Sequence, residues 1–375
     1  MATLKTAAVL LCFLFAAACG GASPTGSGRT AASHAMPAPA SAATAMPAKV
    51  AQPVIAVVDK SGDGATVLRL VALDGPELAH VVLPSGASVV GTGGGVAAFI
   101  VNGELEGLHQ NGTVEKLGPV AGYSAGPIIV SPDAQQWMWS VWSGSGATVA
   151  SRVVLGTRNA PDRTVARMTS TTARVLMPYR WTPGGPVYQS SPLGLGGYIL
   201  FALSFGPSWR FDSASGKVTQ LTDSCRIADV ALGGATACLR DSSPGNSTLD
   251  VATPGASVLH VALPRPEFTQ VGAVSFRPAQ TSTLVVSGAT GVGADGEPEH
   301  YQSYLVDVAT GHMRSFGLAG LRAGDGSWTW LADGSLIAYR PARAFGGEPG
   351  IYLVTADGAS RKVFGSGMPI GVITV

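Results

Sequence analysis

A turn that recurs at a regular interval constrains the fold of this chain more than any other sequence feature. Each copy follows a short apolar strand and carries a glycine: Gly75, Gly112, Gly216, Gly255, Gly311 and Gly358. The interval is about 47 residues if a degenerate copy lies near Asn159–Asp162. A second series of turns precedes another strand of each unit: Ser131-Pro132-Asp133, Trp181–Gly185, Phe276–Ala279 and Trp330–Gly334. The two series alternate at a constant phase, which predicts one structural unit repeated along the chain.

The segments between these turns are short and rich in β-branched and aromatic residues, as in Val54–Val58, Ala97–Val101 and Ile351–Val354. No amphipathic helical pattern competes with them. The 50 glycines and 25 prolines of the 375-residue chain agree with many turns and few helices. Four short strands in every roughly 40 to 50 residues are typical of a β-propeller, whose four-stranded antiparallel blades surround a central channel. We therefore predict an all-β fold.

The number of blades follows from where the units start. Full units begin at six positions: Ser88, Ala125, Arg174, Arg226, Val271 and Ser327. A further unit begins at Val54 but lacks its inner strand, and the apolar segment Met368–Val375 lies beyond the last outer strand. We expect this C-terminal strand to join the first blade, close the ring and remove an exposed edge, which gives seven four-stranded blades. The alternative is a six-bladed ring with Ser88–Pro119 merged into another unit.

The N-terminal residues predict export and a lipid anchor. Residues 1–18 combine Lys5 with an uncharged run that is too short to span a bilayer, as in a signal peptide. The run ends in small residues before Cys19 and resembles the bacterial lipoprotein signal, which implies that Cys19 carries acyl chains. The alternative is ordinary cleavage that leaves Cys19 as a free thiol. Residues 19–52 contain mostly Ala, Pro, Ser, Thr and Gly, so we expect a tether before a propeller domain at 53–375.

The repeats resemble those of known envelope proteins. Ser131-Pro132-Asp133 before an aromatic strand, and Trp330–Tyr339 leading to Ile351–Gly358, are similar to the TolB-like and WD-repeat-like propeller repeats of bacterial envelope proteins. The resemblance covers residues 53–375 and implies a propeller lipoprotein that is exported and lipid-anchored at the cell membrane or outer membrane. The shared residues specify blade turns, in which Pro sets one dihedral angle and Asp or Gly tolerates the tight geometry. The resemblance therefore supports a fold and no activity.

The four cysteines follow the same division of the chain. Cys12 leaves with the signal peptide and Cys19 is the predicted lipidation site. Cys225 and Cys238 remain in an exported compartment that permits disulfides, and we expect them to pair. The alternative is two separate buried thiols. No His or second Cys pair lies at ligand spacing around them, so we expect no zinc site.

The charge composition and the motifs exclude several kinds of function. The chain has 24 Lys and Arg against 23 Asp and Glu, and this net charge of +1 gives no overall field that would attract nucleic acid. We expect contact with the membrane through the lipid anchor only. No metal-ligand or nucleophile motif occurs, and the glycine-rich run Gly291–Gly296 lacks the Lys-Ser/Thr of a phosphate loop. We therefore predict no cofactor, no metal and no catalytic residues.

Loop length suggests where a ligand would bind. The connection from the second to the third strand is long in blades four, six and seven, at Ser190–Pro207, Ala289–His300 and Pro341–Pro349. Such connections share one face of a propeller, and long loops on a rigid scaffold commonly carry binding residues. The candidate binding residues are Tyr198, Phe205, Glu297, Glu299, His300, Arg340, Arg343 and Glu348. The apolar run Tyr198–Phe205 has a second interpretation, as a regular strand of blade four.

Two functions of different classes agree with these patterns. The first is a lipoprotein whose propeller is a non-catalytic binding scaffold for another envelope protein or a small ligand. The alternative is an exported hydrolase or lyase that acts on carbohydrate or peptide, with a pair such as Glu299 and Glu348 for acid/base work. The alternating Trp137, Trp139 and Trp142 are expected to pack between blades, and stacking on a sugar ring is the alternative.

Overall fold

The chain folds into a seven-bladed β-propeller. The computed structural model describes residues 52–145, 148–193, 207–223, 225, 227–240, 248–262, 270–277, 280–290, 300–318, 330–340 and 347–374. The predicted signal peptide, Cys19 and almost all of the tether lie outside these residues. The described part is built from antiparallel sheets and contains no α-helix, and hence no helix that could span a membrane.

The first three blades each contain four strands, ordered from the centre of the ring outwards. Blade 1 contains β27 (Met368–Ile373), β1 (Val54–Lys60), β2 (Thr66–Ala72) and β3 (Glu77–Val82). Blade 2 contains β4 (Ser88–Gly93), β5 (Val96–Val101), β6 (Glu104–His109) and β7 (Val114–Pro119). Blade 3 contains β8 (Ile129–Val130), β9 (Gln136–Ser145), β10 (Thr148–Thr157) and β11 (Ala160–Ser170).

The remaining blades follow in sequence order. Blade 4 contains β12 (Arg174–Thr182), β13 (Gly185–Pro192), β14 (Ser208–Phe211) and β15 (Val218–Thr222). Blade 5 contains β16 (Ile227–Val230), β17 (Thr236–Leu239), β18 (Thr248–Ala252) and β19 (Leu259–Ala262). Blade 6 contains β20 (Gln270–Arg277), β21 (Gln280–Thr290), β22 (His300–Asp307) and β23 (Met313–Ser315). Blade 7 contains β24 (Leu336–Arg340), β25 (Gly350–Val354) and β26 (Ser360–Phe364), and its inner position is marked by a bridge from Trp330 to Leu336.

The C-terminal strand closes the ring, as the sequence predicted. β27 pairs antiparallel with β1, with Ile373 opposite Val54 and Val372 opposite Ile55. Side chains reinforce the junction between blades 7 and 1, where the Arg361 guanidinium donates to the Leu73 carbonyl at 2.7 Å. The six-bladed alternative is therefore wrong, because β4–β7 form a separate blade of their own.

The strand directions give the ring two distinct faces. Because successive strands are antiparallel, the first-to-second and third-to-fourth connections lie at one end of each blade, which we call the turn face. The second-to-third and blade-to-blade connections lie at the other end, the loop face. Both turn series found in the sequence belong to the turn face, since Ser131–Asp133 joins β8 to β9 and Gly75 joins β2 to β3. The degenerate copy is the turn after β10, where Asn159 takes a φ of 63°.

Apolar side chains between neighbouring blades form the core. Trp137 and Trp139 of β9 are buried against blade 2, while Met138 on the opposite face of the strand packs toward Tyr188 and Phe211 of blade 4. The indole nitrogens of both tryptophans donate to backbone carbonyls at 3.3 Å. These two tryptophans are therefore core residues, and stacking on a sugar is excluded for them.

A glycine makes room for this packing. Gly156 lies directly opposite Trp137 in the β9–β10 register. A Cβ atom at this position would lie 2.5 Å from the indole nitrogen of Trp137, closer than side chains approach one another. The pairing of a large side chain with a glycine thus lets blade 3 lie flat against blade 2.

Deletion of residues 368–375 should open the ring. The deletion removes the pairing partner of β1 together with the apolar side chains of Ile370, Val372 and Ile373, each worth about 1.5–3 kcal/mol when buried. We expect the free energy of unfolding to fall by at least about 4 kcal/mol, measured by urea denaturation. Deletion of Thr374 and Val375 alone, which follow β27, is the matched control. Equal stability of the two truncated proteins would contradict closure by this strand.

Candidate functional site

The three long connections predicted from the sequence lie together on the loop face. They join β13 to β14, β21 to β22 and β24 to β25, so all three leave the same end of their blades. Five of the candidate residues lie outside the described part of the chain: Tyr198, Phe205, Glu297, Glu299 and Arg343. The interpretation of Tyr198–Phe205 as a strand lies outside it as well.

Blade 5 adds a connection that the sequence reasoning missed. Residues 240–247 join β17 to β18, whereas blades 1, 2 and 3 make the corresponding connection with residues 61–65, 102–103 and 146–147. The run Asp241–Ser247 is composed of Asp, Ser, Pro, Gly and Asn between two apolar strands, and this turn composition was the available signal. The longer connections therefore leave the same end of four consecutive blades, 4 to 7, and we call these four connections the arc.

Arg340 and Glu348 take part in a contact at the base of the blade 7 connection. Arg340 ends β24 and is only 3% exposed, with its guanidinium 5.1 Å from the centre of the Tyr352 ring. The Tyr352 hydroxyl donates to the Glu348 carbonyl at 2.8 Å. The Glu348 carboxylate accepts a hydrogen bond from Lys362 at 2.8 Å, and this bond lowers the pKa of Glu348. Arg340 thus anchors the connection from inside the blade.

One member of the proposed carboxylate pair, Glu299, lies outside the described residues. The other, Glu348, is paired with Lys362, which lowers its pKa. His300 is the first residue of β22 and its backbone is paired with Thr290.

A buried polar cluster joins the inner strands of blades 4, 5 and 6. Asp229 of β16 is 0% exposed and receives three different partners. The Tyr179 hydroxyl donates to its carboxylate at 2.6 Å, Arg180 lies 3.2 Å away, and the backbone N–H of Phe276 donates at 2.8 Å. Arg180 also donates to the carbonyl of Val230 at 2.9 Å. We call this set the inner-strand clasp.

A β-bulge places the two side chains of blade 4 in the clasp. Pro178 is opposite Tyr188 and Arg180 is opposite Val187, so Tyr179 is the extra residue in β12. A bulge turns neighbouring side chains toward the same side of a strand, which otherwise alternates. Tyr179 and Arg180 can therefore both reach Asp229 of the next blade.

The surroundings fix the protonation of the clasp. Burial, and then the negative charge of Asp229, raise the pKa of Tyr179 well above its ordinary value, so the phenol stays protonated and donates. Burial disfavours the charged form of Arg180, but the charge of Asp229 outweighs it and raises the pKa of the guanidinium. The clasp is thus a charged, hydrogen-bonded bridge between blades 4, 5 and 6.

Blades 4 and 5 also line an open groove of about 370 Å³. The Cys225–Cys238 disulfide lines it, which confirms the pairing predicted from the sequence. A loop of this length contributes about 3 kcal/mol to stability in the chain-entropy model. Polar side chains form the rest of the wall, among them Gln220, Thr222 and Thr236.

An arginine organises the charges beside this groove. Arg240 lies 2.8 Å from Asp250 and 2.5 Å from Asp223, and Asp250 in turn lies 2.7 Å from the Nδ1 of His260. The hydrogen bonds to Asp250 and Asp223 raise the pKa of Arg240. Burial disfavours the charged form of Asp250, but the bonds from Arg240 and His260 outweigh it and lower the pKa.

The same corner contains three donor atoms close enough to share a cation. Ligand atoms of Asp223, Cys225 and Cys238 lie within 4.8 Å of one another. Both sulfurs are committed to the disulfide, however, and Arg240 holds Asp223 with a positive charge. Cysteine binds metals as a thiolate, and both sulfurs here are oxidised in the disulfide. In this state the three residues therefore stabilise the fold and do not form a metal site.

Comparison with known proteins identifies the fold. No protein-family model matches the sequence, and no curated protein matches it. A protein from Bacteroides uniformis assigned as a 6-phosphogluconolactonase superposes with a TM-score of 0.51 at 11% identity, over 87% of this chain and 100% of that one. An acylaminoacyl peptidase from Pyrococcus horikoshii superposes with a TM-score of 0.50 at 11% identity, over 85% of this chain. This chain corresponds to 51% of the peptidase chain. At these identities the likeness is one of fold, and the chain shares the propeller architecture of both.

Replacement of Asp229 by Ala should strongly destabilise the protein. The substitution leaves Arg180, Tyr179 and the N–H of Phe276 without their shared acceptor, and the loss of one partner from a buried ion pair costs about 3–5 kcal/mol. Urea denaturation measures the change. Asp223→Ala removes an exposed partner of Arg240 and serves as control, with an expected cost below about 1 kcal/mol. A similar cost for the two variants would refute the importance of the clasp.

Proposed function

We propose that this chain is a lipid-anchored extracytoplasmic lipoprotein whose propeller is a non-catalytic binding scaffold. The bound partner is another envelope protein or a small ligand, held by the connections of the loop face. The TolB-like and WD-repeat-like character of the turns belongs to this proposal, as does an exported location facing the periplasm or the exterior.

The observation that carries the proposal is the place where the chain enters the ring. The first strand, β1, begins at the turn face, and the Gln52 carbonyl accepts a hydrogen bond from Gln110 at 3.2 Å. Gln110 belongs to the turn between β6 and β7, which lies on the turn face of blade 2. The chain therefore joins the ring at the turn face. The strand ends from which the arc leaves are at the opposite face.

The scaffold of blades 4 to 7 supports a binding role. The disulfide and the contact of Arg340 with Tyr352 lie toward the loop-face ends of blades 5 and 7, and the inner-strand clasp links blades 4, 5 and 6 nearer the turn face. Loops that stand on rigid elements lose less entropy when they bind, which favours recognition. The enzymes with a similar fold differ in their reactions, so the likeness selects no activity for this chain.

The lipid anchor is tested by mass spectrometry of the mature N-terminus. We expect a chain that begins at Cys19 and carries acyl chains, and that leaves the membrane fraction when Cys19 is replaced by Ala. Thr25→Ala in the tether is the matched control and should stay in that fraction. A mature chain that starts elsewhere, or that carries an unmodified Cys19, would refute the anchor.

The binding face is tested by replacing two of the longer connections with short turns. Each connection is cut at the strand residues that flank it and pair with each other across the sheet. Thr290 is opposite His300 and Arg340 is opposite Gly350, so an Asn-Gly turn fits each pair, as Asn102-Gly103 does in blade 2. We expect the protein with both connections replaced to lose at least about tenfold of its partner capture in cross-linked intact membranes, since the loop contacts would be removed.

The matched control applies the same operation on the same face but outside the arc. Lys60 is opposite Thr66, so residues 61–65 of blade 1 are replaced by Asn-Gly. Capture that survives shortening of the arc, or that falls equally in the control, would contradict the proposal. A measurable turnover on carbohydrate or peptide that disappears in Glu297→Gln/Glu299→Gln/Glu348→Gln would favour the enzymatic alternative instead.

A further inference from the structure

The small net charge of the chain conceals a strong separation of charge around the ring. Residues 125–222, which form blades 3 and 4, contain eight Lys and Arg but only three Asp and Glu. The other five blades contain 13 basic and 20 acidic residues. Blades 3 and 4 are therefore cationic and the other five blades together are anionic, although the basic and acidic residues of the whole chain almost cancel.

Most of the cations of this sector have no ion-pair partner among the described residues. Arg158 is paired with Glu115 and Arg180 with Asp229. Five further cations of the sector form no described salt bridge: Arg152, Arg163, Arg167, Arg210 and Lys217. In the other blades, Arg69, Arg240 and Lys362 are engaged with carboxylates, while Lys60, Lys116, Arg277, Arg314 and Arg361 also form no described salt bridge. The two sectors differ in their carboxylates, which number three against eight cations in blades 3 and 4 but 20 against 13 in the other blades. The positive charge of blades 3 and 4 is therefore largely uncompensated within the ring.

The rim of blade 3 concentrates this charge. β11 is the outer strand of the blade, and it carries the exposed Arg163 and Arg167. Arg167 lies directly opposite Arg152 of β10, an arrangement of like charges that is unfavourable unless something anionic approaches. The Arg163 guanidinium lies 5.0 Å over the ring of Phe211, against the turn of blade 4 that ends in the exposed Lys217. We call Arg152, Arg163, Arg167 and Lys217 the basic rim.

We infer that the basic rim docks the propeller onto an anionic lipid surface. Clusters of Lys and Arg next to a membrane attachment bind anionic headgroups through accumulated electrostatic attraction. This inference rests on the proposed function, because the anchor is what keeps the ring within reach of a bilayer. The tether enters at the turn face, and Arg163 and Lys217 lie at the turn-face end of blades 3 and 4. The lipid contact therefore extends beyond the anchor, and the strand ends that carry the arc are at the opposite face.

The test places a fluorophore on the full-length chain in vesicles whose headgroups carry an energy acceptor. Cys225 and Cys238 are bonded to each other and Cys19 is the acylated residue of the proposed anchor, so an exposed Ala160→Cys, at the turn-face end of β11, can be labelled on the rim. Ala309→Cys, in the turn that follows β22 of blade 6, is the matched label on the anionic side. We expect energy transfer from the rim label to at least double when phosphatidylglycerol is added to phosphatidylcholine vesicles. The label at position 309 should not respond.

Charge removal gives the second arm of the test. The variant Arg163→Gln/Arg167→Gln/Lys217→Gln should abolish the rise in energy transfer that phosphatidylglycerol causes, which we call the gain. The reason is that each charge removed weakens docking about fivefold. The gain should also vanish in about 1 M salt, where screening acts over about 3 Å. The control Lys116→Gln/Arg314→Gln/Lys362→Gln removes the same charge from exposed positions of other blades and should keep the gain.

Several results would overturn the inference. Equal transfer in neutral and anionic vesicles would do so, as would an equal response of the two labels. If the triple rim variant self-associates but its energy transfer does not change, the arginines instead protect the exposed β11 edge from pairing with another chain. Transfer that appears only with rising protein concentration would assign the rim to the anionic side of a second copy. The anchor is judged separately by mass, and labelling in the Cys19→Ala background leaves the rim cysteine as the free thiol. A rim label that still responds there would support the rim even if the mass of the natural chain refutes the anchor.

Discussion

The antiparallel pairing of β27 with β1 is the interaction on which the rest of the structure depends. A blade buries its two apolar faces only if it has a neighbour on both sides, and a linear series of blades would leave two faces in water. The last strand solves this by completing the first blade, with Ile373 and Val372 opposite Val54 and Ile55. Once the ring is closed, each inter-blade cluster is enclosed, and the inner strands are held at fixed distances from one another.

Closure also explains how charged groups can lie deep in the inner strands. Asp229 loses all contact with water, which is costly unless its charge and its lone pairs are matched. A rigid ring holds Tyr179, Arg180 and the N–H of Phe276 around it from two other blades. The disulfide and the Arg240 bridges add further links beside the same blade. Blade 5 thus adds polar contacts to the apolar packing that it shares with blade 6, while blades 1 to 3 are joined by apolar packing.

The ring separates three properties in space. The chain enters at the turn face, the longer connections of blades 4 to 7 leave the loop-face ends of their strands, and cations in excess of carboxylates lie on blades 3 and 4. A protein that is anchored on one side and recognises a partner on the other needs this separation. It follows from strand direction and from the distribution of charge between blades, and the net charge of the whole chain carries no information about it.

The sequence by itself determined the local features of this protein. Turn residues and strand patterns are set by neighbours in the chain, so the blade limits, the seventh blade and the closing role of Met368–Ile373 could all be predicted. The pairing of Cys225 with Cys238 also followed, since these are the two cysteines of residues 53–375. Only the tertiary structure decided which distant residues meet. Tyr179 and Asp229 are 50 positions apart, Arg340 is drawn beneath Tyr352, and Arg152 faces Arg167 across two strands. These contacts depend on strand register, bulges and blade rotation, which fix where side chains point but leave no periodic trace in the sequence.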